Sequence, residues 1–399
     1  METLFNQCRR LVRNTSLDYV RPLIHQIHWD QRLISIRGAR GVGKTTLLLQ
    51  YLKKTYGDNP RDAVYVSLDH LYFSRNTFLD FVEDFYKAGG KCVLVDEVHK
   101  YEGWSRELKN AYDSFSDMRF VITGSSLLNI LNSDADLSRR SVNYSMQGLS
   151  FREYLQLCEG LHFDSVGLRP LLDNPDELCS VVNGKCRPLA YFDKYLKSGY
   201  YPFVLEGEDD YYERITNVAN LILDIELPQL CGVDVSNIRK LKSLLAVLAS
   251  EYPMQPDMTK LAGMAGMSRT TLLAYLQYLQ RAKMVNLLYS GDTSVKKMQR
   301  PDKIYMENSN LLEALSLNGV NEGTRRETFF VNQLSYAHRV EYAPGQADFL
   351  VDGIYTFEVG GRGKDGKQIA GMPDAFIAAD GIEYPFGNKI PLWCFGFLY

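Results

Sequence analysis

Over the first 150 residues, short apolar runs alternate with stretches of helical periodicity. The runs at 33–36, 63–67, 92–95 and 120–123 are apolar, the pattern of strands buried on both faces, and 142–146 reads as a fifth strand. Helical patterns start near Lys44, Thr77 and Trp104 between them, which predicts a β-α alternating sheet covered by helices. From Phe151 to about Leu230 the spacing is helical and rich in Leu and Tyr. A segment from about Asn237 to Tyr289 reads helix, helix, tight turn, helix, strand. Residues 291–301 read as a polar, basic linker. The remainder pairs a helix at 325–337 with short strands at 347–351, 354–359 and 392–397.

Directly after the first strand comes Gly38-Ala39-Arg40-Gly41-Val42-Gly43-Lys44-Thr45, followed by the helix-forming run from Thr46. Strand, glycine loop and helix in this order cradle phosphate. Glycines let backbone N–H groups converge on phosphate oxygens, and the helix N-terminus adds positive dipole. Lys44 then reaches the β- and γ-phosphates, and Thr45 offers its hydroxyl to Mg²⁺.

A hydrolytic site also needs a metal ligand and a base from a second strand, and Asp96-Glu97 stands at the end of the apolar run 92–95. This predicts Asp96 as a water-mediated Mg²⁺ ligand and Glu97 as the general base. Thr123-Gly124-Ser125-Ser126 ends another strand. Ser125 or Thr123 is positioned to orient the attacking water, or else the segment is a turn that caps a helix over 126–131. Arg139 and Arg140 precede the fifth strand.

Net charge is −3, from 45 Lys and Arg against 48 Asp and Glu, so no global field draws the chain to nucleic acid or to an anionic membrane. Any DNA contact must use a local patch. The seven cysteines are odd in number and lack zinc-finger spacing, so reduced thiols are expected. No signal peptide and no apolar stretch of membrane-spanning length is visible, which makes the cytoplasm the expected location and a membrane role unexpected.

The phosphate loop, the Asp96-Glu97 strand, the Thr123–Ser126 tip, the paired arginines and the phrase Gly148-Leu149-Ser150-Phe151-Arg152-Glu153-Tyr154 resemble the AAA+ ATPases of bacteria and archaea that carry a C-terminal domain of uncharacterised function. The resemblance implies an α/β fold: a P-loop NTPase sheet-helix sandwich at 1–150, a helical lid at 151–236, a winged-helix module at 237–292 and a small nuclease-like α/β domain at 300–399. It implies ATP and Mg²⁺ as ligands and a homo-oligomer in which Arg139 or Arg140 reaches a neighbour's γ-phosphate. Gly199-Tyr200-Tyr201-Pro202 is similar to an element that brings a proline, here Pro202, beside the nucleotide in related ATPases.

Two C-terminal expectations follow. The helix-turn-helix pattern around 261–279 would offer Arg269, Thr270 and Lys283 to a DNA duplex. In the last zone the resemblance implies a restriction-endonuclease-like core, with Asp348 and Glu358 on adjacent strands holding Mg²⁺ and a lysine two residues after the glutamate. This chain has Gly360 there, with Arg362, Lys364 and Lys367 as replacements, so nuclease activity is not expected. The leading function is Mg²⁺-dependent ATP hydrolysis driving a conformational switch, with action on DNA as an extension. The alternatives are a nucleic-acid-binding regulator that uses ATP only as a conformational ligand, and a helicase, since Asp96-Glu97-Val98-His99 also spells a DExH box.

Overall fold

A computed structural model describes residues 1–58, 61–127, 137, 139–207, 209–250, 256–291, 300–345 and 347–399. The chain divides into two compact units, Met1–Gly148 and Leu149–Tyr399.

The first unit is built on five parallel strands: β1 (Leu33–Gly38), β2 (Ala63–Ser67), β3 (Cys92–Asp96), β4 (Arg119–Ser125) and β5 (Val142–Ser145), in the order β2-β3-β4-β1-β5. All five expected strands form. β1 to β4 carry continuous apolar runs because helices cover both faces, whereas β5 at the sheet edge is largely exposed. Helices α1 (Glu2–Asn14), α2 (Leu23–Gln26), α3 (Lys44–Tyr56), α4 (Phe78–Lys87) and α5 (Trp104–Ser114) complete the layers. Each meets the sheet through a stripe set by its period: α1 buries Leu4, Cys8 and Val12, one turn apart, and α4 buries Phe78, Phe81, Val82 and Phe85 behind its Thr77 cap. The strand order reverses around β1, so the loops after β1 and β4 open the crevice in which sheets of this kind bind ligands. The helix expected over 126–131 lies mostly outside the described residues.

The second unit spans the zones expected as a lid, a winged-helix module and a C-terminal α/β domain. The helices Phe151–Glu159, Leu168–Asp173 and Pro188–Ser198 form as the periodicity predicts, the first behind a Ser150–Glu153 capping box. Their Phe151, Leu155, Leu171, Phe192 and Tyr195 share one hydrophobic core with Phe349 and Phe357 of the C-terminal sheet and with Phe329 and Phe395 of the helices Glu322–Leu334 and Leu392–Phe397. An amphipathic pattern reveals which face is buried but not against what.

The segment expected to hold helix, helix, turn, helix, strand does so, with helices Ile238–Ser250, Met258–Met264 and Arg269–Arg281 and strand β6 (Val285–Leu288). Strand β7 (Lys303–Met306) then pairs antiparallel with β6. The residues read as a linker therefore join two paired strands, and β7 belongs with the helices before it; residues 292–299 lie outside the described set.

The C-terminal sheet has the order β12-β11-β10-β9-β8, from β8 (Val340–Tyr342), β9 (Phe349–Val351), β10 (Tyr355–Gly360), β11 (Ala375–Ala379) and β12 (Lys389–Pro391). The helix Glu322–Leu334 packs against β10 and starts three residues earlier than expected, at an Asn321 cap. The expected strand at 392–397 is a 3₁₀ helix instead. All six of its residues are buried, so no in-out alternation exists to separate strand from helix, and Gly396 allows Phe151 to approach where a Cβ would lie 2.4 Å away. All seven cysteines are free thiols, including Cys179 and Cys394, whose sulfurs are 3.5 Å apart. Among the described residues no helix is long and apolar enough to cross a membrane.

Candidate functional site: a phosphate loop and its acidic strand

The glycine loop leaves β1 at Gly38, where a Cβ would stand 2.1 Å from the Met146 carbonyl oxygen, so only glycine fits beside the backbone that leaves β5. Gly41 and Gly43 take φ of 83° and 97°, the left-handed conformations that turn successive N–H groups to one side as an anion nest. Arg21 braces the loop from beneath: its buried guanidinium donates to the carbonyls of Val42, Gln147 and Gly148. Arg40 flanks the loop, and Ala39 and Val42 are buried.

Helix α3 begins at Lys44, whose buried ammonium donates to the carbonyls of Gly38 at 2.9 Å and Ala39 at 2.8 Å. It therefore folds back over its own loop, within reach of what the loop would hold. Thr46 is exposed on the first turn.

Asp96 ends β3 as a buried carboxylate with donors on both oxygens. Oδ2 accepts from the Thr45 hydroxyl at 2.6 Å and the Tyr65 phenol at 2.8 Å. Oδ1 accepts from the Thr123 hydroxyl and from the Glu97 N–H at 3.1 Å. The sheet makes this possible, because β3 lies between β2 and β4 and delivers Tyr65, Asp96 and Thr123 at their ends of neighbouring strands. Burial and the adjacent Asp96 charge push the Tyr65 phenol well above its ordinary pKa, so it stays a donor.

Glu97 sits at φ 52°, a left-handed conformation that is strained for a residue with a side chain. The turn sends its carboxylate to Arg40 Nη1 at 3.7 Å and His99 Nε2 at 3.3 Å. The His99 side chain is buried, so the last letter of the apparent DExH box packs beside the glutamate.

Thr45 and Asp96 are thus brought together, with Glu97 next in the chain and Lys44 against the loop. The donor set fits Mg²⁺: the Thr45 hydroxyl spends its proton on Asp96, which leaves its oxygen lone pairs for a hard cation. At the tip of β4, Thr123 rather than Ser125 touches Asp96. The Ser125 hydroxyl accepts from Leu127 N–H at 3.4 Å, so it also serves the turn. Arg140 pairs with Asp113 of α5 through two contacts of 3.2 Å and Arg139 is exposed. Pro202 opens a short 3₁₀ helix, Pro202–Glu206, in the second unit. Sequence reading missed Tyr65 and Arg21, and took His99 only as part of a DExH box. The signal for Tyr65 was a polar tip inside an otherwise apolar strand, two residues from its end; none marked Arg21.

A parallel sheet in this order, with a glycine loop after β1 and an acidic residue closing β3, defines the P-loop NTPase fold. The family model described as "AAA domain" matches residues 30–155, so the first unit is an AAA-type ATPase domain. A second model, "Domain of unknown function (DUF8612)", matches residues 189–322. The chain is 26% identical to the uncharacterised protein MJ1637 of Methanocaldococcus jannaschii, over 88% of this chain and 80% of that protein. Among solved structures, the Aeropyrum pernix ORC1 protein in complex with DNA overlaps 79% of this chain and 91% of its own at 11% identity and a TM-score of 0.31. Domain III of the Thermotoga maritima replication initiation protein DnaA overlaps 59% and 88% at 14% identity and 0.27. Katanin overlaps 39% of this chain and 54% of its own at 15% identity and 0.26. Overlaps this loose add nothing to the topology already described.

Proposed function

We propose that the chain is an ATP-driven switch that hydrolyses Mg-ATP at the loop of residues 38–45. The observation that carries this reading is the Asp96 carboxylate, held between the phosphate-loop hydroxyl of Thr45 and the β4 hydroxyl of Thr123 with Glu97 next in the chain. A mere phosphate-binding turn requires neither acidic residue.

In this reading Lys44 exchanges its two loop carbonyls for phosphate oxygens, and the N–H groups of the loop through Thr46 hold the triphosphate. Mg²⁺, held by Thr45 and through water by Asp96, neutralises charge on the β- and γ-phosphates. Glu97 accepts the proton of the attacking water, with His99 and Arg40 fixing its carboxylate. Thr123 keeps Asp96 in register, and Ser125 orients the water. Arg139 or Arg140 acts on a neighbouring subunit's nucleotide, which for Arg140 requires release from Asp113, so the protein works as a homo-oligomer.

DNA is the proposed partner of the helix Arg269–Arg281, whose exposed Arg269 and Thr270 lie at its start in the manner of a winged helix. Lys283 is turned inward to Glu307 at 3.6 Å and is a weaker candidate.

The test is ATP turnover with and without Mg²⁺ and duplex DNA, for the wild type and Lys44→Ala. Wild-type turnover that needs Mg²⁺ and vanishes in the variant is expected. No turnover by the wild type under any of these conditions defeats hydrolysis, and equal turnover by the variant defeats the site. A turnover indifferent to DNA removes that partner.

A further inference from the structure

The second unit holds another carboxylate pair. Asp348, just before β9, and Glu358, within β10, lie on neighbouring antiparallel strands. Glu358 is only 1% exposed. Its Oε2 stands 3.4 Å from the Lys364 ammonium, which is 3.9 Å from Asp348 Oδ2. The Val359 N–H donates to that Asp348 oxygen at 2.9 Å. The ammonium therefore lies against both carboxylates at once.

Lys364 reaches this place over a glycine. A Cβ on Gly360 would stand 3.0 Å from both Cβ and Cδ of Lys364, so the bare backbone at 360 provides the channel along which the lysine stem lies. The other basic residues of the turn go elsewhere: Lys367 pairs with Asp365 at 2.8 Å and Arg362 is exposed.

While the ammonium lies against both carboxylates, a divalent cation fits the remaining donors poorly. Calcium and magnesium need about six or more oxygens at roughly 2.0–2.6 Å. Among the described residues no three His, Cys, Asp or Glu side chains converge in a way that could hold a metal ion. A third carboxylate of this unit, Glu327, is already engaged by the Tyr305 hydroxyl at 2.6 Å and by Lys303 at 3.5 Å. The buried Glu358 carboxylate beside the partly exposed Asp348 nevertheless demands positive charge, since a carboxylate without it is strongly disfavoured away from water. Lys364 supplies that charge from within the chain.

We propose that the Lys364 ammonium is the resident cation of the Asp348–Glu358 pair, standing where a divalent metal ion would otherwise be drawn. The pair is consequently closed to metal, and this sheet is a platform without phosphodiester-cleaving chemistry. Glu358 Oε1 has no hydrogen-bond partner among the described residues, so one ammonium balances the charge without filling every acceptor. Removing it leaves the buried Glu358 and the partly exposed Asp348 without counter-charge, and the remedy is an ion from solution. Substitution of Lys364 should therefore create metal affinity, where loss of an ordinary structural ion pair would only destabilise.

The experiment counts Mn²⁺ bound to the full chain without nucleotide, by electron paramagnetic resonance of the free ion. It compares the wild type, Glu358→Gln, Lys364→Met and the double variant, so any Mn²⁺ in the first unit is common to all four. At about 1 mM Mn²⁺, the weak end of carboxylate sites, Lys364→Met is expected to bind one more ion than the wild type. The double variant should return to the wild-type count. A folded Lys364→Met that gains no ion overturns the proposal. So does a wild type that binds an ion which Glu358→Gln removes, because the pair then takes metal with its lysine in place. Should Lys364→Met fail to fold, the wild type against Glu358→Gln decides alone: equal counts uphold the resident ammonium, and a lower count in the variant refutes it.

Discussion

Glu97→Gln keeps the shape of the side chain and removes its charge and its basicity. A positioned general base contributes about 10²- to 10⁴-fold to turnover, which corresponds to roughly 3–5 kcal/mol of barrier. Turnover should fall by that factor. Nucleotide affinity should move the other way. Glu97 is the ion-pair partner of Arg40 at 3.7 Å, with side chains 22% and 32% exposed. For a pair this accessible, solvent screening reduces the interaction to under about 1 kcal/mol. Glutamine releases Arg40 to the phosphates, so the ATP dissociation constant should stay the same or tighten by up to about fivefold. Phosphate release under saturating Mg-ATP reads the first effect, and fluorescence titration with a labelled ATP analogue reads the second. Undiminished turnover refutes Glu97 as the base. A loss of affinity of tenfold or more refutes the account of Arg40, since the glutamate would then be supporting the cradle.

Three further outcomes follow from the same geometry. Gly38→Ala places a methyl 2.1 Å from the Met146 carbonyl, backbone against backbone, so we expect a loss of about 2–4 kcal/mol in urea unfolding together with weakened ATP binding; a variant within about 0.5 kcal/mol of wild type contradicts the packing described. Tyr65→Phe deletes one of four donors to the buried Asp96 carboxylate and should lower stability by about 1–2 kcal/mol, an effect that a double-mutant cycle with Asp96→Asn must reduce; additive losses would mean that the phenol acts elsewhere. Burial raises the pKa of Glu307 above its ordinary 4.5, with Lys283 only partly offsetting it, so the folded chain holds a proton that the unfolded chain releases. Its contribution is accordingly most favourable below 4.5 and is lost as pH rises from there through the folded value. Glu307→Gln should flatten the decline in thermal midpoint over that window, and identical slopes for variant and wild type would count against it.

The parallel sheet was legible in the chain because β1 to β4 are buried on both faces and the glycine loop, Lys44 and Asp96-Glu97 each stand at a strand end. Local pattern there carries the whole signal. It failed at residues 392–397, where uniform burial erases the period, and it did not reveal that the apolar stripe of the helices at 151–198 shares a core with the C-terminal sheet. It was also silent on Lys303–Met306, a strand whose pairing with Val285–Leu288 crosses a polar stretch.

The sequence alone determined the phosphate loop, the acidic pair and the order of strands and helices in the first unit, because each depends on backbone conformation and on neighbours a few residues away. Only the tertiary structure decided which groups surround the two buried carboxylates. Tyr65 and Thr123 converge on Asp96 from separate strands, and Lys364 returns to Glu358 across a turn. Such contacts are created by sheet register and by the need of a buried charge for donors or counter-charge. A one-dimensional pattern records the residues that can meet that need without recording which of them come close enough to do so.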